Sequence, residues 1–181
     1  MKRAKYKKKR ILSGVQMRAG LERFAREMAK AYGDFDPVVF IGVRTRGPHL
    51  AKRLSGIIKK RRGREIPVGE MDIALYRDDL NALVPGGTLD RTQIPFDIGN
   101  KIIVLFDDVL NTGRTVRAAV DHLIDLGRPR IIHLAVMIDR GGRELPIAAN
   151  FVGKRVHLRA DHKVQVRLKE VDGVDEVVVE S

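Results

Sequence analysis

Apolar residues recur along this chain in two rhythms that alternate from one end to the other. Met17 to Tyr32 places apolar side chains at Leu21, Phe24, Ala25, Met28 and Tyr32, the spacing of an amphipathic helix. Pro37 opens a continuous apolar run from Val38 to Val43, which has strand length. The polar loop Arg44-Thr45-Arg46-Gly47 follows, and Pro48 starts a second helix through Leu50, Ala51, Leu54, Ile57 and Ile58. Val68 to Leu75 reads as a strand, and a polar segment then runs from Tyr76 to about Pro95, longer than most structureless connections in compact domains. A strand starting at Ile102, a helix from Val116 to Leu126 and a strand from Ile131 to Ile138 complete the series.

Strands and helices alternating at these lengths predict an α/β fold with a mainly parallel sheet covered by helices on both faces. The tail differs. Val152, Val164 to Leu168 and Val177 to Val179 suggest short strands, read here as a small cap over the site. With 181 residues, no internal repeat and no Pro-rich or Gly/Ser-rich linker, residues 13–181 form a single expected domain behind a basic leader, 1–12.

Charge adds a second theme. The net charge is +12, and Lys2, Arg3, Lys5, Lys7, Lys8, Lys9 and Arg10 put seven of those positive charges into the first ten residues, leaving +5 for the other 171. Such an arm fits nucleic acid, and fits a solvated tail equally well. Zero cysteines exclude disulfides, Cys-ligated zinc and thiol catalysis. His49, His122, His133, His157 and His162 show no metal-ligand spacing. The basic start is followed by no apolar signal core, so a cytoplasmic protein is expected, with no membrane partner.

The candidate chemistry concentrates where the Ile102 strand meets its helix. Asp107-Asp108-Val109-Leu110-Asn111-Thr112-Gly113-Arg114-Thr115 lies at the carboxyl end of a predicted parallel strand, where open α/β sheets bind ligands. A helix N-terminus there offers unpaired N–H groups to an anion, and the Thr112 and Thr115 hydroxyls add donors. The two carboxylates are acceptors suited to sugar hydroxyls. Either one alone is usually a turn or N-cap residue; adjacent, they repel unless hydrogen-bonded or near a cation. A 5-phosphoribosyl group satisfies the whole string.

This string resembles the signature of the type I phosphoribosyltransferases, which bind phosphoribosyl pyrophosphate (PRPP) through an acidic pair and a Thr-Gly-x-Thr loop. Leu75-Tyr76-Arg77-Asp78-Asp79-Leu80, Leu126-Gly127-Arg128-Pro129 and Asp139-Arg140-Gly141 with Arg143 to Ile147 narrow the likeness. They are similar to the bacterial uracil phosphoribosyltransferases that also regulate pyrimidine genes by binding their RNA. The resemblance implies the type I fold, a twisted, mainly parallel sheet with helices on both faces and a small C-terminal cap. It implies synthesis of UMP and pyrophosphate from uracil and PRPP, with Mg2+ arriving on PRPP and no metal held by the protein alone.

The resemblance also distributes roles. Asp107 and Asp108 would serve the ribose, with Arg77 and Asp78 as further catalytic residues on a loop that closes over pyrophosphate; Pro85-Gly86-Gly87 suits its mobility. Val109 to Thr115 would anchor the 5-phosphate, and Arg44, Thr45, Arg46 and Gly47 form the family's pyrophosphate loop, often with a non-proline cis peptide. Met137, Ile138, Asp139 and Arg140 would meet uracil through strand-end backbone groups, with Val164 in the cap. UMP or UTP and a leader-transcript stem-loop are the implied regulatory partners, and a homodimer or homotetramer the implied assembly.

For RNA, Arg18, Glu22, Arg26 and Lys30 stack at i+4 with Arg23 beside them, and Arg143, Lys154, Arg155 and Arg159 extend the stripe. The chain departs from the family pattern at Asn111, where Tyr is usual, at Gly142, where His is usual, and at Ala148-Ala149-Asn150 and His157-Leu158-Arg159. Two alternatives therefore stand beside the uracil enzyme: an RNA-binding regulator with little catalysis, and a type I transferase for another base such as hypoxanthine or orotate.

Overall fold

The computed structural model describes residues 8–73 and 91–181. Its elements are β1 (Lys8–Ser13), α1 (Gly14–Tyr32), β2 (Val38–Val43), α2 (Gly47–Arg62), β3 (Val68–Met71), β4 (Ile102–Leu110), α3 (Arg114–Leu126), β5 (Ile131–Asp139), β6 (Phe151–Arg155), β7 (Lys163–Arg167), α4 (Lys169–Asp172) and β8 (Glu176–Glu180). Five strands form one sheet in the order β3-β2-β4-β5-β6, with every neighbouring pair parallel. A second sheet, β1-β8-β7, is antiparallel.

The central strands are apolar on both faces because helices cover both. Val38 and Phe40 of β2, with Ile102, Val104 and Phe106 of β4, pack with Leu21, Phe24 and Met28 of α1 and Leu50, Leu54 and Ile58 of α2. The alternate residues Val39, Ile41 and Val43, with Ile103 and Leu105, meet Val116, Ala119 and Leu123 of α3 on the opposite face. The period-two alternation of side chains thus divides one apolar run between two cores. Helix α1 starts at a capping box in which the Ser13 hydroxyl accepts from the Gln16 backbone N–H and the Gln16 side chain accepts from the Ser13 N–H.

Three expectations need correction. Residues 8–12 are not leader. They belong to β1, which pairs with β8 while Leu12 enters the core and Lys8 meets Glu180 at 3.0 Å. Val152 belongs to no cap: β6 extends the main sheet beside β5, leaving β7 and β8 to form the second sheet with β1. The strand expected from Val68 to Leu75 ends at Met71. No helix among the described residues is long and apolar enough to cross a membrane.

Candidate active site

Asp107 and Asp108 lie in the last turn of pleat of β4, inside the strand rather than in the turn beyond it. Asp107 is buried, and its Oδ1 accepts the Asp108 N–H at 2.8 Å. The pair is also hydrogen-bonded through its side chains. Burial pushes the Asp108 carboxyl above the ordinary carboxylate range, against that hydrogen bond and the attraction of Arg46.

The turn after β4 is built from Asn111, Thr112 and Gly113. Gly113 has φ +95°, a conformation suited to glycine, and a Cβ there would also press on Ile147 Cδ1 at 3.3 Å. The Thr112 Oγ1 accepts from the Arg114 N–H at 3.3 Å, and the Thr112 carbonyl accepts from the N–H groups of Glu144 and Leu145. The turn is therefore moulded against residues 144–147. Arg114 Nε donates to Glu144 Oε2 at 2.6 Å in an ion pair about half exposed to solvent.

The loop after β2 lies directly alongside. A Cβ on Gly47 would stand 2.3 Å from the Phe106 carbonyl oxygen, and one on Gly42 would stand 2.1 Å from Pro48 N. Only glycine at both places lets the 44–47 loop press onto β4 just before the acidic pair. The Arg44–Thr45 peptide is cis. Both arginines of the loop are gripped by carboxylates: Arg44 Nη2 donates to Glu70 Oε2 at 2.7 Å, and Arg46 donates through Nε and Nη2 to the two oxygens of Asp172 at 3.1 and 2.8 Å. The pair with Asp172 raises the Arg46 pKa, and Asp108 adds attraction.

The strand end of β5 carries the residues expected to meet the base. Met137 and Ile138 are buried. The Asp139 carbonyl accepts from Val156 N–H and Arg140 N–H donates to the Leu110 carbonyl, so these backbone groups are already used within the sheet. Val164, in β7, packs against the core that α1 and α2 cover. Arg77 and Asp78, with the Pro85-Gly86-Gly87 stretch, lie outside the described residues.

Arg23 and Arg143, both expected to touch RNA, make their bonds inside the protein. Arg23 Nη2 donates to the carbonyls of Val152 and Gly153 at 2.6 and 2.9 Å, tying α1 to β6. Arg143 donates to the carbonyls of Ile147 (2.9 Å), Asn111 (2.8 Å), Gly141 (3.3 Å) and Leu110 (3.4 Å), and to Asp139 Oδ1 at 2.6 Å. It braces the 111–113 turn against the end of β5. Arg18 and Lys154 remain on the surface, and Arg26 is exposed. The basic run Lys59-Lys60-Arg61-Arg62 at the end of α2 sits beside Arg26 across a shallow cleft lined by Ala25, Arg26, Ala29, Ile58, Arg61 and Arg62.

The sequence reading also missed Glu70 and Asp172. No motif marks either, because each acts on a loop far away in the chain. Among the described residues no cluster of three or more His, Asp or Glu side chains is placed to hold a metal ion.

Comparison with known proteins agrees with this geometry. The model of the phosphoribosyl transferase domain matches residues 8–168. The chain is 53% identical to the bifunctional protein PyrR of Chloroflexus aurantiacus, over 94% of each chain. It is 49% identical to the protein of the same name in Pelotomaculum thermopropionicum, over 95% of each, and 49% identical to that of Thermus thermophilus, over 94% of each. Among solved structures, a hypoxanthine phosphoribosyltransferase of Trypanosoma cruzi superposes with a TM-score of 0.75 over 100% of this chain and 95% of that one, at 15% identity. One from Staphylococcus aureus gives 0.69 at 18% identity, covering 93% and 90%. At these identities the structural matches speak for the fold.

Proposed function

The chain belongs to the phosphoribosyl transferase family and to its PyrR group, and from that premise we propose that it joins uracil to the 5-phosphoribosyl group of PRPP, releasing pyrophosphate and forming UMP. One observation carries the reading: the acidic pair Asp107-Asp108 stands between the glycine-pressed 44–47 loop and the Thr112–Thr115 turn, on neighbouring parallel strands. In the reaction the bond from ribose C1 to the pyrophosphate oxygen breaks, a bond from C1 to uracil N1 forms, and the N1 proton leaves. Positive charge gathers on the ribose ring between these events.

The residues divide that work. The turn holds the 5-phosphate, so binding energy far from C1 fixes the reacting carbon in place. Asp107 and Asp108 bind the ribose hydroxyls and lie close to the developing cation. Arg44 and Arg46 face the departing pyrophosphate, and Asp139 with Arg140 borders the base. Magnesium enters as part of the substrate, held by PRPP oxygens and water, and the acidic pair suits hydrogen bonds to that hydrated ion. Arg77 and Asp78 complete the set on the connecting loop, in a cytoplasmic homodimer or homotetramer.

The second function is binding of a pyrimidine-gene leader RNA under control of UMP or UTP. It is supported by relatives named as bifunctional and by the cationic face of Arg18, Arg26, Lys60 and Arg62. A panel of uracil, hypoxanthine and orotate with Mg2+ and PRPP tests the enzyme. UMP formation with neither purine nor orotate nucleotide is expected; efficient transfer to either competitor without UMP overturns it. For the regulator, UMP should tighten binding of the cognate stem-loop and leave a scrambled loop unaffected.

A further inference from the structure

Arg46, in the 44–47 loop, is gripped bidentately by Asp172 and also feels the attraction of Asp108. Asp172 comes from the short helix α4, 126 positions away in sequence. It is itself fixed, because its Oδ2 accepts the Leu168 N–H at 2.9 Å while its own N–H donates to the Leu168 carbonyl. A bidentate guanidinium–carboxylate pair sets both position and plane, which a single point contact does not. The side chains are 29% and 21% exposed, so the pair is only partly open to solvent. Two of the five N–H donors of Arg46 are used on Asp172, leaving three for another anion. Asp172 thus holds Arg46 by the Nε–Nη2 edge of its guanidinium and leaves the rest of the fork available.

We propose that Asp172 is a positioning residue for pyrophosphate: it aims Arg46 across the 44–47 loop so that the remaining donors meet the leaving group. This inference rests on the assignment of that loop to pyrophosphate. The neighbouring clamp, in which Arg53 of α2 holds Glu170 at 2.5 Å and Asp175 at 2.6 Å, anchors the same segment without touching Arg46. It supplies an internal control for effects on folding.

Charge alone and aiming predict opposite signs. Replacing Asp172 with Asn removes a negative charge beside a polyanion site, which by charge alone tightens pyrophosphate. If the carboxylate aims Arg46, losing it weakens pyrophosphate despite the gain in positive charge. In the full-length protein, Asp172→Asn should raise the KM for PRPP and the inhibition constant for pyrophosphate by about tenfold, the scale of one charge-assisted contact. The KM for uracil should not move, and Asp172→Glu should recover part of the loss. Glu170→Gln should leave the pyrophosphate constant unchanged. Unchanged or tighter pyrophosphate in Asp172→Asn overturns the proposal. So does a parallel loss of uracil binding, or an equal loss in Glu170→Gln, either of which assigns the contact to stability. No transfer by the unsubstituted protein would sink the activity and this role together; normal transfer with an unmoved constant in Asp172→Asn sinks this role alone.

Discussion

Arg143 separates the sequence reading from the structural one, because the first places it on RNA and the second inside the site. Arg143→Ala removes three short bonds, to Ile147, Asn111 and Asp139, and two long ones. The side chain is 23% exposed and the Asp139 carboxylate 15%, so the partners do not recover full hydration. A hydrogen bond to a charged group contributes about 1.5–3 kcal/mol, and bonds sharing one side chain do not add fully, which gives a loss of about 3 kcal/mol. For a domain of this size that is a melting shift of about 6–12 °C. The KM for PRPP should rise with it, because the Leu110 and Asn111 carbonyls that Arg143 holds lead into the turn proposed to hold the 5-phosphate. Arg143→Lys keeps a charge beside Asp139 but not the fork, and should fall between. Thermal melts and steady-state kinetics read both effects. An unchanged melting temperature and unchanged PRPP kinetics, with a drop in stem-loop affinity alone, would refute the brace.

Asp108, Gly42 and the basic face of α1 give three further outcomes. Burial holds the Asp108 pKa above its unfolded value, so the protonated form contributes stability at low pH that is lost as pH rises from the unfolded pKa through the raised folded one; the melting temperature of Asp108→Asn relative to the parent should therefore be higher at pH 8 than at pH 4, and a gap that shrinks with pH contradicts this. Gly42→Ala puts a Cβ within 2.1 Å of Pro48 N and 2.3 Å of Gly47 C, and backbone displacement of the pyrophosphate loop should cost about 1–3 kcal/mol of stability and raise the KM for PRPP, whereas wild-type kinetics would show that the loop can shift without consequence. Arg26→Ala should lower the salt slope of RNA binding by about 0.7, the value for one phosphate contact on a single strand, while Arg23→Ala should leave the slope unchanged because Arg23 is held by Val152 and Gly153; equal slopes for both variants would count against the assignment.

The main sheet was legible in the sequence because its strands are unbroken apolar runs and its helices have clean apolar stripes. Val38–Val43 coincides with β2, and the expected helix at Val116 differs from α3 by two residues at its start. β1 was hidden since Lys8, Lys9 and Arg10 continue a charged leader, and only pairing with β8 reveals them as a strand. β6 was misplaced for a similar reason: a short run at Phe151 carries no mark of which sheet edge it will join. Within the site, contiguous strings such as Asp107 to Thr115 were readable as chemistry. The carboxylates that grip Arg44 and Arg46 were not, since Glu70 lies on another strand and Asp172 on the short helix between β7 and β8, and such pairing is a property of the fold. The internal bonds of Arg23 and Arg143 were hidden because a sequence shows a positive charge but not the carbonyls waiting for it.

The most direct test of the account is UMP formation from uracil and Mg2+-PRPP, measured side by side for the parent protein, Asp107→Asn and Asp108→Asn. The account predicts stoichiometric UMP and pyrophosphate from the parent, and a large loss of turnover in both variants with their circular dichroism spectra unchanged. Parent-like turnover in both, or no UMP from the parent, would contradict it.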